Sequence, residues 1–512
     1  MACTTILIGK DASYDGAPMI ARNEDSANGE FNPKRFIVTQ PEDQPRLYHS
    51  VLSHLDIELP NDPLRYTSTP NADLKDGIWG EAGINSANVA MTATETITSN
   101  ERVLGADPFV EVQPAKGTKG EDGYTPLVPG GITEEDFPTT VLPYIHTARE
   151  GVTRLGSLLE KYGTSEMNGV GFSDSHEIWW METVGGHHWI ARRVPDDCYV
   201  TMPNQLGIDD LDLDDAFGEA HDNMCSADLR EFIANNHLNV TISEEKGHIN
   251  PRDLFGSHSD TDHVYNTPRA WFMQRYLNPL DDDWDSEDAY YTPESDNLPW
   301  ARQPERKVTI EDIKYVLSSH YQGTPYDPYG KKGNHNTHTL YRPIGINRQS
   351  ELSIMEIRPD KPAAYAALQW ISFGSNPFNT IEPYYTNVDI TPAYLESTST
   401  RVTTESHYWE NRIIAALADS HFMDNQQTIE AYQIKTGAYG HANVRETDAA
   451  IEANADLAGK LDSTAEKSVH RVLEAANQQL ADKLKKDTDD LLDKILYSVS
   501  MKMRNGFFLS DN

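Results

Sequence analysis

Cysteine is nearly missing from this 512-residue chain, which has only Cys3, Cys198 and Cys225. Three scattered thiols build neither a disulfide framework nor paired zinc-type spacing, and this usage fits a reducing compartment. Positive charge is also short: 43 Lys and Arg stand against 80 Asp and Glu, a formal charge of −37. A surface that acidic repels polyanions, so nucleic acid and anionic membranes are excluded as partners, and its plain meaning is solubility. No apolar run is long enough to span a bilayer, and the amino terminus lacks a basic stretch leading into an apolar one with a small-residue cleavage site. The expectation is a soluble, cytoplasmic protein.

Signatures of several chemistries are missing as well. There is no H-E-x-x-H and no G-x-S-x-G, and Gly169-Val170-Gly171 lacks the rest of a dinucleotide fingerprint. The acidic runs at 209–215 and 281–288 lack the Gly at position six and the acidic residue at position twelve of a calcium loop. His187 and His188 are adjacent, which on a strand points them to opposite faces. Neither a metal nor another cofactor is expected.

What is present begins at Cys3. It leads Thr4-Thr5-Ile6-Leu7-Ile8-Gly9, a β-branched and apolar run that predicts a buried strand. Asp15-Gly16 supplies a turn, and Pro18 to Ala21 returns, bringing Arg22, Asn23, Glu24 and Asp25 beside the thiol. A thiol is a poor nucleophile until something takes its proton, and the α-amine of the same residue, which ordinarily titrates at about 7.7–8.0, can do so. Removal of Met1 and Ala2 would make Cys3 that terminal residue. Arg22 would favour the thiolate and Asp25 could orient the ammonium. Taken alone, Cys3 reads more simply as a small buried cysteine on a strand.

Further along, 35–39 predicts a strand and 40–76 a loop-rich segment. The alternation at 89–96 predicts a half-buried strand, with Asn85 in the turn entering it. Residues 105–131 are rich in Gly, Pro and charge and predict an exposed loop. Thr133 and Asp136 form a helix start, 148–162 is helical up to Gly163, and short meander strands follow at 169–172, 177–184, 189–193 and 198–202. Asn204 falls in the loop after the last of them. Thr267-Pro268-Arg269 opens a helix, which puts Arg269 in its first turn. No proline occurs after Pro392. Helical periodicity runs over 408–422, 426–435 and 444–499, with a stripe from Leu457 and Leu461 through Val469, Leu473, Leu480, Leu484 and Leu491 to Ile495. That stripe predicts a packing or subunit interface, and a homo-oligomer is one way to fill it.

The stretches M-A-C-T-T-I-L-I-G-K-D-A-S-Y-D-G and M-I-A-R-N-E-D-S, with G-I-N-S-A-N, M-P-N-Q and Y-N-T-P-R-A-W-F, resemble cysteine dipeptidases of the dipeptidase A type, related to secernins within the N-terminal nucleophile (Ntn) hydrolases. The resemblance implies an α+β fold, a four-layer α/β/β/α sandwich with a long helical C-terminal segment. The catalytic core would cover 1–400 and the helical segment 401–512. It implies hydrolysis of dipeptides through a thioester, without a metal, after loss of a short propeptide. By position it implies Cys3 as nucleophile, Arg22 and Asp25 as its R-x-x-D pair and Asn85 as an oxyanion-hole donor. Asn204 would be a second active-site Asn beside the terminal amine, and Arg269 a supporting arginine. Singly, each has a plainer reading: an ion pair for Arg22 and Asp25, turn residues for Asn85 and Asn204, a surface helix charge for Arg269. Two rival functions stand beside the dipeptidase: an acyl-amide hydrolase of the penicillin V acylase or bile acid amide hydrolase type, and a non-enzymatic acidic interaction protein.

Overall fold

The hairpin that carries Cys3 forms the middle of a large antiparallel sheet. In a computed structural model, which describes residues 3–27, 29–93, 95–242, 247–454 and 463–503, strand Thr4–Ile8 pairs with Met19–Asp25, Thr5 opposite Arg22 and Leu7 opposite Ile20. Asp15 shapes the turn between them by accepting from Ser13 Oγ and Ala17 N, and Gly16 takes the positive φ of 85° that the reversal needs. Every residue of both strands is buried, the apolar Ile6, Leu7, Ile8, Met19, Ile20 and Ala21 and the polar Thr4, Thr5 and Arg22 to Asp25 alike.

Seven strands make up this sheet, in the order Ala301–Arg302, Tyr199–Met202, Thr4–Ile8, Met19–Asp25, Gln349–Ile357, Ala367–Phe373, Glu382–Tyr385. A second runs Asn223–Cys225, His188–Arg193, Ile178–Val184, Asn168–Ser173, Ala90–Thr92, Ala82–Ile84, with Glu95–Thr96 also paired to Asn168–Ser173. Strand alternation sends Leu7 and Ile20 of the first sheet into one apolar cluster with Ile84, Ala90, Trp180 and Ile190 of the second. Their neighbours Ile6, Ile8 and Ala21 face the other way, against Trp271 and Phe272 of helix Thr267–Leu277 and Ile313 and Leu317 of helix Ile310–Leu317. On the outer face of the second sheet, Val170, Phe172 and Trp179 pack against Val152, Leu155 and Leu159 of helix Ala148–Tyr162. That helix sits close because a Cβ at Gly151 would lie 2.4 Å from the Phe172 ring and one at Gly156 would lie 2.5 Å from Trp189. Each fully buried Leu, Ile or Phe in these layers contributes roughly 1.5–3 kcal/mol.

Helices Phe422–Glu452 and Ser463–Ser500 close the chain. Val469, Leu473 and Ala476 join the cluster on the first sheet's outer face, while Leu480, Leu484, Leu491 and Ile495 pack with Ile371, Phe373 and Tyr384. Asn477 ties the last helix to the sheet edge through Tyr385 N and O, at 3.0 and 2.9 Å. The helical run expected over 444–499 is not one helix, since the first of the two ends at Glu452; Leu457 and Leu461 lie outside the described residues. The loop segment around 105–131 contains a small ribbon, Glu111–Gln113 with Val128–Pro129. His187 and His188 do not diverge: His187 precedes strand His188–Arg193, and both rings bond Asp107, at 2.9 and 2.8 Å. No helix among the described residues is long and apolar enough to cross a membrane.

Candidate active site

Cys3 is fully buried at the head of its strand, and the Arg22 Nη2 group donates to its Sγ at 2.8 Å. The hairpin register produces this contact, because residues 3, 5 and 7 share one face with 20, 22 and 24. Arg22 Nη1 donates to Glu81, and Nη2 also reaches Glu134 Oε1 at 3.3 Å. Burial would lower the guanidinium's pKa, but Cys3, Glu81 and Glu134 more than offset it and hold Arg22 firmly protonated. A guanidinium aimed at sulfur is the arrangement that stabilises a thiolate.

Behind Arg22 lies a buried network of charge. Lys34 Nζ bridges Glu24 at 2.9 Å and Glu81 at 3.2 Å, and all three side chains are shielded from water. Burial opposes the charged form of each, yet Lys34 is raised by Glu24 and Glu81, and Glu81 is lowered by Lys34 and Arg22. Glu24 goes the other way: burial, then Glu81 and Glu351, raise it well above the carboxylate range, and burial pushes Glu351 up to about 7. Two cations, Arg22 and Lys34, thus sit among the carboxyl groups of Glu24, Glu81 and Glu134. Such networks position groups better than they stabilise folds. Glu81 also sits at φ 60°, a left-handed conformation that a non-glycine residue holds at about 1–3 kcal/mol.

On the other side of Cys3, Arg269 enters from the first turn of helix Thr267–Leu277, where Pro268 needs no amide partner. Its Nη1 donates to the Cys3 carbonyl and to Thr4 Oγ1 at 2.7 Å; its Nη2 donates to Asn204 Oδ1 at 2.7 Å and Asn266 Oδ1 at 2.8 Å. Binding its oxygen fixes the orientation of the Asn204 amide, whose Nδ2 donates to Thr96 O at 2.7 Å. Arg269 is thus a fully buried residue, not a surface charge.

The structure thus brings Cys3, Arg22, Asn204 and Arg269 together. Asp25 lies on the opposite strand face from the thiol and pairs with Arg342, which stacks over Tyr265. Asn85, expected as an oxyanion-hole donor, is bonded to backbone on every side-chain atom that can pair. It holds the turn between Ala82–Ile84 and Ala90–Thr92: Nδ2 donates to Leu142 O and Ile145 O, both at 2.8 Å, and Oδ1 accepts from Ala87 N and Val89 N. Both amide hydrogens are committed to carbonyls, so this side chain offers none to an oxyanion. Sequence reasoning missed Lys34, Glu81 and Glu134. Glu134 lies inside a stretch read only as a helix start, and none of the three stands near Cys3 in sequence. Among the described residues no cluster of three or more His, Cys, Asp or Glu side chains is arranged to hold a metal ion.

Residues 2–435 match peptidase family C69. A dipeptidase of Bifidobacterium longum (strain NCC 2705) is 63% identical, with 100% of both chains covered. A probable dipeptidase A of Streptococcus pyogenes serotype M3 (strain SSI-1) is 52% identical, again over 100% of both chains. Dipeptidase A of Lactobacillus helveticus is 44% identical over 96% of each chain. The chain belongs to peptidase family C69.

Proposed function

We propose that this protein is a cysteine dipeptidase that uses Cys3 as an N-terminal nucleophile on an Ntn-hydrolase α/β/β/α sandwich. The observation that carries the reading is the 2.8 Å contact from Arg22 to the Cys3 sulfur, made in a site that Arg269 and Asn204 close from the other side. The relatives named as dipeptidases support the substrate class, and two facing sheets with helices on their outer faces support the fold.

In this mechanism the α-amine of a mature Cys3 takes the thiol proton, and the thiolate attacks the dipeptide carbonyl carbon. The carbonyl π pair moves to oxygen, and Asn204, its amide oriented by Arg269, donates to that oxyanion. Collapse breaks the C–N bond as the ammonium returns its proton to the leaving amine, which departs as the second amino acid. Water then adds to the thioester, giving a proton to the now neutral α-amine, and the C–S bond breaks with Cys3 leaving as thiolate, which releases the first amino acid. In this reading Asp25, anchored by Arg342, is the group that orients the ammonium, from the face opposite the thiol; a backbone nitrogen lies in the strand plane and is open to both faces. The amine exists only after Met1 and Ala2 are removed, and both lie outside the described residues.

The test combines intact mass with substitution. Active protein should begin at Cys3; Cys3→Ala should abolish dipeptide turnover while keeping the folded circular dichroism spectrum, and a thiol alkylator should inactivate the enzyme where a chelator does not. Turnover surviving in Cys3→Ala, or full activity with Ala2 retained, would overturn the reading.

A further inference from the structure

The acidic run at 281–288 plays no part in the chemistry at Cys3, yet it borders a cavity of about 330 Å³, within the range of roughly 300–1,000 Å³ usual for small-ligand sites. Four aromatic side chains line it: Trp271 of helix Thr267–Leu277, Trp284 inside the acidic run, Tyr326 and Tyr341. Trp271, Trp284 and Tyr341 are buried, and the Tyr326 ring stands at 80° to Trp271 and at 60° to Tyr341, so the walls are set at steep angles to one another. The acidic side chains Asp285 and Glu294 complete the lining, and no Lys or Arg joins it among the described residues. None of the residues placed around Cys3 lines this cavity. Arg269 and Trp271 share a helix but lie two positions apart, about 200° around its axis.

The charges and the orphaned donor say what would fit. Asp285 is neutralised by Arg275, whose Nε and Nη2 donate to it at 2.9 and 2.7 Å. The Glu294 carboxylate, by contrast, accepts from Tyr341 Oη at 2.9 Å and has no cation beside it among the described residues. Its own segment supplies none, since 281–296 contains no Lys or Arg. Both indoles already attract cations: Arg275 lies 5.7 Å from the Trp271 ring and Arg302 5.3 Å from the Trp284 ring, though neither arginine lines the cavity. Trp271 Nε1, finally, is a buried donor with no acceptor among the described residues, and a buried N–H of this kind calls for an oxygen. We propose that the cavity binds an alkylated organic ammonium ion bearing a hydrogen-bond acceptor, with the cation against the aromatic walls and Glu294 and the acceptor at Trp271 Nε1. Alkyl groups suit the site because they spread the charge over the ring faces and leave no ammonium protons for which aromatic walls offer no acceptor.

The experiment titrates protein carrying nitrogen-labelled tryptophan with choline and with dimethylbutanol, its neutral isostere with carbon in place of the charged nitrogen. The indole signals are assigned from Trp271→Phe and Trp284→Phe. Choline should move both signals saturably and bind about 10- to 30-fold more tightly than the isostere. Glu294→Gln changes an exposed side chain that can still accept from Tyr341, so the fold is kept; choline should weaken by about 5- to 10-fold and the isostere should be unaffected. Tyr326→Leu keeps apolar bulk but removes a ring and should narrow the gap between the two ligands, with a urea melt to confirm folding. Equal affinity for choline and the isostere, the absence of a saturable shift, or unchanged choline binding in Glu294→Gln would overturn the proposal. So would shifts that sodium chloride reproduces at the same concentration, which would reduce the site to a general acidic surface.

Discussion

Replacing Arg22 by lysine separates charge from geometry at the centre of the site. Arg22 presents two nitrogens at fixed spacing, one to Glu81 and the other to both Cys3 and Glu134. Lysine keeps the positive charge but has one nitrogen, which can serve Glu81 or the sulfur and not both. Arg22→Ala is the poorer probe: it strands two buried carboxylates, at about 3–5 kcal/mol of stability, and so mixes unfolding with chemistry. In Arg22→Lys a cation stays among the carboxylates, and the denaturation midpoint should move little. The contact to the reacting sulfur is lost, which should cost about 2–4 kcal/mol of transition-state stabilisation, or roughly 30- to 1000-fold in kcat. Steady-state kinetics on a dipeptide, a urea melt and the Cys3 alkylation rate across pH form the assay. Turnover within threefold of wild type together with unchanged alkylation would refute the claim that the guanidinium fork activates Cys3.

Two further outcomes follow from the buried carboxylates. Glu81→Gln removes the group that fixes Arg22 and Lys34, so turnover and Cys3 alkylation should fall together, by about 10- to 100-fold; a normal kcat would show that Arg22 is positioned without it. Glu356, which accepts from Tyr14 Oη at 3.0 Å and Trp370 Nε1 at 2.8 Å, is pushed up to about 8 by burial and then by Asp15. The folded state therefore holds this proton after the unfolded chain has lost it, so the contribution is complete below pH 4.5 and declines as pH rises to 8. Urea midpoints at pH 5 and pH 9 should differ less in Glu356→Gln than in wild type, and an identical difference would refute the assignment.

Local chemistry was legible from the sequence. The Cys3 hairpin, helix Ala148–Tyr162 with its stop at Gly163 (φ 67°), the first three meander strands and Pro268 at the head of its helix follow from residue patterns whose partners lie close along the chain, whereas the fourth strand expected in that meander, Tyr199–Met202, crosses to the other sheet and pairs with Thr4–Ile8. Cys3 and Arg22 could be brought together by sequence because one tight turn joins their strands, and alternation then fixes which side chains meet. The same alternation, followed one step further, separates Asp25 from the thiol. What the sequence could not supply was every contact made across a long loop. Glu81 and Glu134 reach Arg22 over 59 and 112 residues, and Arg269 reaches the Cys3 carbonyl over 266. Nothing local marks such residues, because a Glu after a glycine or inside a capping box looks the same whether it faces water or a buried guanidinium. Asn85 shows the converse, where an asparagine well placed for catalysis by motif is held by Leu142 and Ile145, two carbonyls that only the packed chain brings within reach. The residues determined the strands and the place of the Cys3 thiol at the head of one of them; the stacking of two sheets decided which charges surround it, since burial makes each charge depend on partners drawn from the whole fold.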